Sequence, residues 1–176
     1  LWAFERAKLV TQEQEIITLI TEHKLPWEAI PTEWLASAAV WQALLPRLPL
    51  TATLRNLGRL TANGVLAPMN HWSAMVVDRI TDTDALRRAR IHPLSVLVAL
   101  KTYESGGGHR SKLTWQPVRE IVDALDTAYY RSFGNVEATD KSIMLALDVS
   151  GSMGAPEFAR MPGITPRIGA AAMAMV

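Results

Sequence analysis

The sequence predicts a mainly α-helical module over residues 1–138 followed, over residues 139–176, by the opening of an α/β unit. Two observations carry this division. Up to about residue 134 apolar residues recur at helical spacing and are interrupted at short intervals by Pro, Gly or Asn, the pattern of short amphipathic helices. The pattern then changes to the continuous apolar run Ile143-Met144-Leu145-Ala146-Leu147, which ends in Asp148-Val149-Ser150-Gly151-Ser152. A bounded apolar run of that kind is how a central parallel strand, covered on both faces, reads in sequence.

Taken in order, Thr11 and Gln14 form a capping-box pattern ahead of Ile16, Ile17, Leu19 and Ile20, which share one helix face. Pro26 and Pro31 interrupt the pattern. Ser37 is placed to cap a helix carrying Val40, Trp41, Leu44 and Leu45 that stops near Pro46 and Pro49. Thr51 is placed to cap the next, with Leu54, Leu57 and Leu60 inward and Asn63-Gly64 as its stop. Trp72, Met75, Val76 and Ile80 mark another helix. Pro93 suits the first position of a helix carrying Leu94, Leu97, Val98 and Leu100, ended by Gly106-Gly107-Gly108. Pro117 opens one with Val118, Ile121, Val122 and Leu125 inward and Gly134 at its end. About seven short helices with brief connections suggest a stack of helix pairs rather than a long-helix bundle, although no clean repeat of fixed period is visible. Pro162 and Pro166 then precede Ile168, Ala171, Ala172 and Met175, so strand, polar turn and helix follow one another as at the start of an α/β domain.

The 176 residues are 49% hydrophobic with a net charge of +1, a globular composition that does not by itself announce nucleic acid. The charge is unevenly spread. Between Arg87 and Lys112 stand Arg87, Arg88, Arg90, Lys101, Arg110 and Lys112 against Glu104 alone, whereas the first 33 residues are rich in Glu. The absence of Cys excludes disulfides, thiolate-bound zinc and thiol catalysis and accords with a cytoplasmic, reducing setting. No uncharged run approaches the roughly 20 residues of a membrane span, so no membrane partner is expected. The chain opens Leu1-Trp2-Ala3-Phe4 and closes inside an apolar helical pattern, so both ends read as cut.

At the end of the predicted strand, Asp148, Ser150 and Ser152 offer one carboxylate and two hydroxyls at alternate positions. These are hard oxygen donors suited to Mg²⁺ or Mn²⁺, with water completing the set. For RNA, Arg87, Arg88, Arg90, Arg110 and Lys112 are the candidate phosphate contacts, and His92 and His109 are candidates to stack on or hydrogen-bond to unstacked bases. Arg55 and Arg59 lie one turn apart and suit either the same groove or salt links to nearby acids. The six Trp residues, spread singly among apolar positions, read as core. His23 and His71 have no acidic or His partner at metal spacing. The triple Gly lacks the Lys-Ser/Thr of a phosphate loop, and Ser150 and Ser152 lack a nucleophile elbow. With no general base or second metal cluster apparent, the sequence points to a binding protein rather than an enzyme.

The segment Asp148-Val149-Ser150-Gly151-Ser152 resembles the metal-ion-dependent adhesion motif of von Willebrand factor A domains. Pro49 to Gly58, Leu60-Thr61-Ala62-Asn63, Ala89 to Pro93, and Gly106 to Lys112 followed by Trp115 are similar, in family order, to the TROVE module of the Ro autoantigen family. The resemblance implies HEAT-like helical repeats over residues 1–138 and the beginning of a Rossmann-like von Willebrand factor A domain over 139–176. It also implies a cytoplasmic ribonucleoprotein that binds small noncoding Y-type RNA and misfolded RNA, including single-stranded ends, and that in bacteria works beside an exoribonuclease. In such A domains the two Ser bind the cation directly, Asp148 would act through water or by orienting a ligand, and a Thr and an Asp from later loops complete the set. The alternative is a metal-dependent protein-interaction module that recognises a carboxylate ligand, with the helical array as a docking platform.

Overall fold

The computed structural model describes residues 2–108, 112–137, 141–155, 161 and 163–176. Among these the chain forms α1 (Trp2–Ala7), α2 (Glu13–His23), α3 (Ala38–Leu44), α4 (Leu50–Ala62), α5 (His71–Thr81), α6 (Thr83–Arg88), α7 (Pro93–Glu104), α8 (Arg119–Ser132) and α9 (Pro166–Met175), joined in places by single 3₁₀ turns. The main packing pairs are α2 with α3, α4 with α7, and α8 with α5, α6 and α7. One apolar core runs through them, with Trp41, Leu57, Leu60, Ile80, Ile121 and Leu125 essentially removed from water. Each such aliphatic side chain contributes about 1.5–3 kcal/mol relative to exposure.

Several predicted boundaries hold. The Ser37 hydroxyl accepts from the Val40 N–H at 3.2 Å and starts α3. Pro93 occupies the first turn of α7, where its missing N–H is harmless. Asn63 and Gly64 end α4, with the Gly64 N–H donating to Thr61 O and the Val65 N–H to Leu60 O, both at 2.9 Å. This is the paired closure that favours glycine, and Gly64 has φ +74°.

Two expected caps do not form. Because α2 begins at Glu13, the cap position falls to Gln12, whose side chain makes no cap bond, and Thr11 lies one residue too early for its box. Because α4 begins at Leu50, Pro49 takes the cap position and Thr51 is already inside the first turn. Helices α1 and α6 were not expected from periodicity. The second is started by Asp82, whose Oδ1 accepts from the N–H groups of Asp84 and Ala85 at 2.8 and 3.2 Å.

The predicted buried strand is a correction. Among the described residues no strand forms, and Ile143, Met144, Leu145, Leu147 and Val149 are all at least half exposed, Met144 at 95%. A central strand requires neighbours to take its N–H and C=O groups, and none is present among the described residues. The α/β expectation for residues 139–176 therefore rests on the sequence pattern alone. The helix expected after the motif does form, as α9, with the Thr165 hydroxyl accepting from the Ile168 N–H at 3.2 Å. Among the described residues no helix is long and apolar enough to cross a membrane.

The join between α4, α7 and α8 is made by Tyr103. Its ring is buried, and its hydroxyl accepts from the Val118 N–H at 3.1 Å while lying 2.8 Å from the Thr61 hydroxyl. The Thr61 hydroxyl also lies 3.0 Å from Leu57 O. Burial pushes the phenol pKa up, opposed in part by the bonds from Thr61 and Val118. Tyr103→Phe is expected to leave the buried Val118 N–H without its partner and to cost about 1–3 kcal/mol, read as a lower midpoint in urea unfolding of the full-length protein followed by circular dichroism. An unchanged midpoint would remove the hydroxyl from the fold's essential bonds.

Candidate nucleic-acid interface and metal motif

A groove of about 570 Å³ opens between α4 and α7. Its floor is apolar, made by Leu54 and Leu57 from α4 and by Val98 and Ala99 from α7. Arg55 and Arg59 reach it from α4, and Arg90 and His92 from the turn that joins α6 to α7. The far wall is a short antiparallel pairing in which Gly107 faces Thr114 and the Trp115 N–H donates to Gly106 O at 2.9 Å. Trp115 lies against the bare Cα of Gly58, where an added Cβ would stand 2.7 Å from ring carbons. Its ring stacks on Tyr103 at 6.2 Å and 18°, and its Nε1 donates to Tyr103 O at 2.9 Å.

The electrostatics separate these arginines from others nearby. The guanidinium groups of Arg55, Arg59 and Arg90 have no acidic or carbonyl partner among the described residues. Arg87 faces Asp84 at 3.6 Å and Arg88 faces Asp82 at 3.8 Å, both in exposed pairs that contribute about 0–1 kcal/mol. Lys112 is exposed and does not line the groove. His109 and Arg110 lie outside the described residues. Arg79, by contrast, is a structural cation: it donates to the carbonyls of Leu45 and Leu48, and burial pushes its pKa down.

Arg90 is held in an unusual way. The N–H of Arg90 donates to Arg87 O and that of Ile91 to Leu86 O, both at 3.0 Å, the same closure that ends α4. Here the left-handed position that favours glycine carries Arg90, with φ +50°. The Asn135 side chain braces this turn by donating to Leu86 O at 3.1 Å and Ile91 O at 2.8 Å. Next in sequence, His92 starts α7 with its Nδ1 accepting from the Leu94 N–H at 3.2 Å, which assigns the proton of the neutral ring to Nε2.

The structure thus gathers Arg90 and His92 from the predicted set, selects Arg55 and Arg59 from the ambiguous ones, and leaves Arg87, Arg88 and Lys112 outside the groove. Of the Trp residues, Trp41 is core, Trp2 is 66% exposed and Trp115 is a groove wall. The signal for Trp115 lay in Gly58, a glycine inside a strongly amphipathic helix, which often marks a close approach. His23 and His71 are exposed and pack edge-on against Trp2 and Trp72.

The second candidate lies at the entry to the turn Gly151–Gly154, with Asp148 and Ser150 before it and Ser152 on it. The Ser150 N–H donates to Asp148 Oδ1 at 2.8 Å, and the hydroxyls of Ser150 and Ser152 are 3.0 Å apart. The backbone N–H of Ser150, then its hydroxyl, hold the Asp148 carboxyl below its ordinary pKa. Its ionised form is therefore retained to somewhat lower pH than that of an ordinary carboxylate. Arg167 of α9 donates weakly to the carbonyls of Val149 and Ser150, at 3.4 and 3.5 Å. Among the described residues no group of three or more His, Cys, Asp or Glu is placed to hold a metal ion. The motif nevertheless gathers three exposed hard oxygens, a donor set that fits a small divalent cation whose remaining positions are filled by water or other oxygens.

Residues 21–104 match the TROVE domain family. The chain is similar to RNA-binding protein RO60 of Deinococcus radiodurans, with 46% identity over 159 residues covering 90% of this chain and 30% of that protein. It is also similar to RNA-binding protein RO60 of Caenorhabditis elegans, with 41% identity over 152 residues covering 86% of this chain and 23% of that protein. The crystal structure of the Deinococcus radiodurans RO (RSR) protein superposes with a TM-score of 0.89 at 43% identity, over 97% of this chain and 34% of that one. The chain therefore spans about a third or less of the length of these relatives.

Arg90→Gly is expected to stabilise the fold by about 1 kcal/mol, because glycine carries no left-handed penalty, while removing a groove cation. Chemical denaturation of the full-length variant checks this, and a loss of stability would show that the Arg90 side chain supports the turn.

Proposed function

Given that the chain belongs to the Ro family of TROVE-domain proteins, we propose that it binds RNA through the groove between α4 and α7. The observation that carries this reading is the convergence of Arg55, Arg59 and Arg90, without acidic partners among the described residues, on one apolar-floored groove. A buried or paired guanidinium is already committed, whereas an unpaired one can exchange its counterion for a phosphate, the main source of salt-dependent affinity. The apolar floor suits the face of an unstacked base, and the Nε2–H of His92 is free to donate to a phosphate or base edge. A duplex keeps its bases stacked and cannot use that floor, so a single-stranded segment is the fitting ligand.

In this proposal the protein is a non-enzymatic cytoplasmic scaffold in quality control of small noncoding Y-type and misfolded RNA. That both relatives are RNA-binding proteins supports RNA as the partner. Arg87, Arg88 and Lys112 are exposed beyond the groove and serve as outer phosphate contacts, weakened for the two arginines by their Asp neighbours. We also propose that residues 139–176 begin a von Willebrand factor A domain. Asp148, Ser150 and Ser152 would hold Mg²⁺ or Mn²⁺ there, supplying a Lewis-acidic position for a carboxylate from a protein ligand such as an exoribonuclease. The reading of the chain as a carboxylate-recognising interaction module rests on this same oxygen cluster.

Two outcomes test these proposals. In titrations of the full-length protein against a hairpin RNA with a single-stranded tail, Arg55→Ala, Arg59→Ala and Arg90→Ala are each expected to reduce the log–log salt slope by about 0.7. Arg87→Ala and Arg88→Ala should change it less. Slopes unaltered by the first three would take the groove out of the interface. For the motif, Asp148→Ala is expected to abolish Mg²⁺ binding measured by calorimetry. Mg²⁺ affinity retained by the variant would exclude the site.

A further inference from the structure

Within the groove one polar side chain is already half committed. Asn56 is partly buried in the α4 wall, and its Nδ2 donates to Ala52 O at 2.9 Å. That bond settles the amide's orientation, because only the NH₂ end can donate to a carbonyl. It uses one of the two amide protons. Oδ1 and the second N–H are left without partners among the described residues.

An acceptor and a donor fixed side by side in one plane are what the Watson–Crick edge of an unpaired base presents in return. Uracil offers N3–H beside O4, adenine offers N6–H beside N1, and the other two bases offer equivalent pairs. Asn56 also stands between the phosphate contacts, since Arg55 precedes it and Arg59 follows three positions later on the same helix face. A nucleotide whose phosphate meets these arginines therefore has its base within reach of the amide and of the apolar floor.

We infer that Asn56 is a specificity-determining residue that recognises the free Watson–Crick edge of an RNA base. The assignment rests on the RNA-binding proposal above and deepens it. The guanidinium groups supply affinity that any polyanion would share, and Asn56 supplies discrimination in favour of bases with no pairing partner. In a duplex that edge is occupied by the complementary base, so the same amide has nothing to bind.

The test uses two hairpin RNAs with identical stems, one carrying an oligo(U) tail and the other a tail of N3-methyluridine, which keeps the phosphates and the stacking face but blocks the edge. The full-length wild-type protein is expected to bind the unmodified tail about tenfold more tightly. Asn56→Leu should bind the two tails equally with an unchanged salt slope. Equal affinity of the wild type for both tails would overturn the assignment while leaving RNA binding intact, and this comparison needs no variant to fold. Retained discrimination in Asn56→Leu would also overturn it. Failure of the wild type to bind either tail would overturn the groove proposal and the role of Asn56 with it.

Discussion

The groove depends on the hydroxyl of Tyr103. A phenol buried among helices must find partners for its O–H, since leaving it unmet costs more than the bond itself returns. Here the partners come from three places: Thr61 on α4, the Val118 N–H at the entry to α8, and, through the same residue's carbonyl, the indole of Trp115. Satisfying the hydroxyl therefore fixes the separation of α4 and α7 and the start of α8, while the same residue's carbonyl and ring hold the wall that closes the groove. Gly58 makes this closure possible by leaving room for the ring. The cationic side chains are then set on a frame whose dimensions are decided by uncharged contacts.

This separation between frame and charge explains why the arginines differ. Arg79 sits where helix packing leaves carbonyls of Leu45 and Leu48 in need of a donor, and its role is structural. Arg87 and Arg88 share the six-residue helix α6 with its capping acid, Asp82, and a first-turn acid, Asp84, and are drawn to them. Arg90 stands just beyond α6 in the left-handed position of the closing turn, at a conformational cost of about 1–2 kcal/mol, with no acidic partner among the described residues.

Most helices were legible because their apolar faces are long enough for the 3.6-residue period to show, as in Leu54, Leu57 and Leu60 of α4. Helices α1 and α6 were not, since six residues hold fewer than two turns and α6 is defined by the Asp82 cap rather than by a face. At the candidate site the basic cluster around Arg90 and His92 was visible as composition. Which of its members are free was not, because ion pairing depends on three-dimensional neighbours. Arg55 and Arg59 were visible as a pair one turn apart, but only the opposing α7 shows that they share a groove. Trp115 read as core, and its place as a wall follows from contact with Gly58, which is 57 positions away in sequence. For residues 143–149 the apolar pattern was clear, but a pattern expresses what a segment would bury and not whether the partners to bury it are at hand.

The double bond from Asn135 to the carbonyls of Leu86 and Ile91 has a mechanical consequence. Asn135 is the last residue of the turn that follows α8, and the polypeptide leads from there toward the Asp148 motif. It clamps the two ends of the loop that carries Arg90. A pulling force transmitted back along the chain from the motif would reach that clamp before it reached the core of α8. One of the groove's exposed cations is thus anchored at the point where tension from the downstream segment enters the helical body.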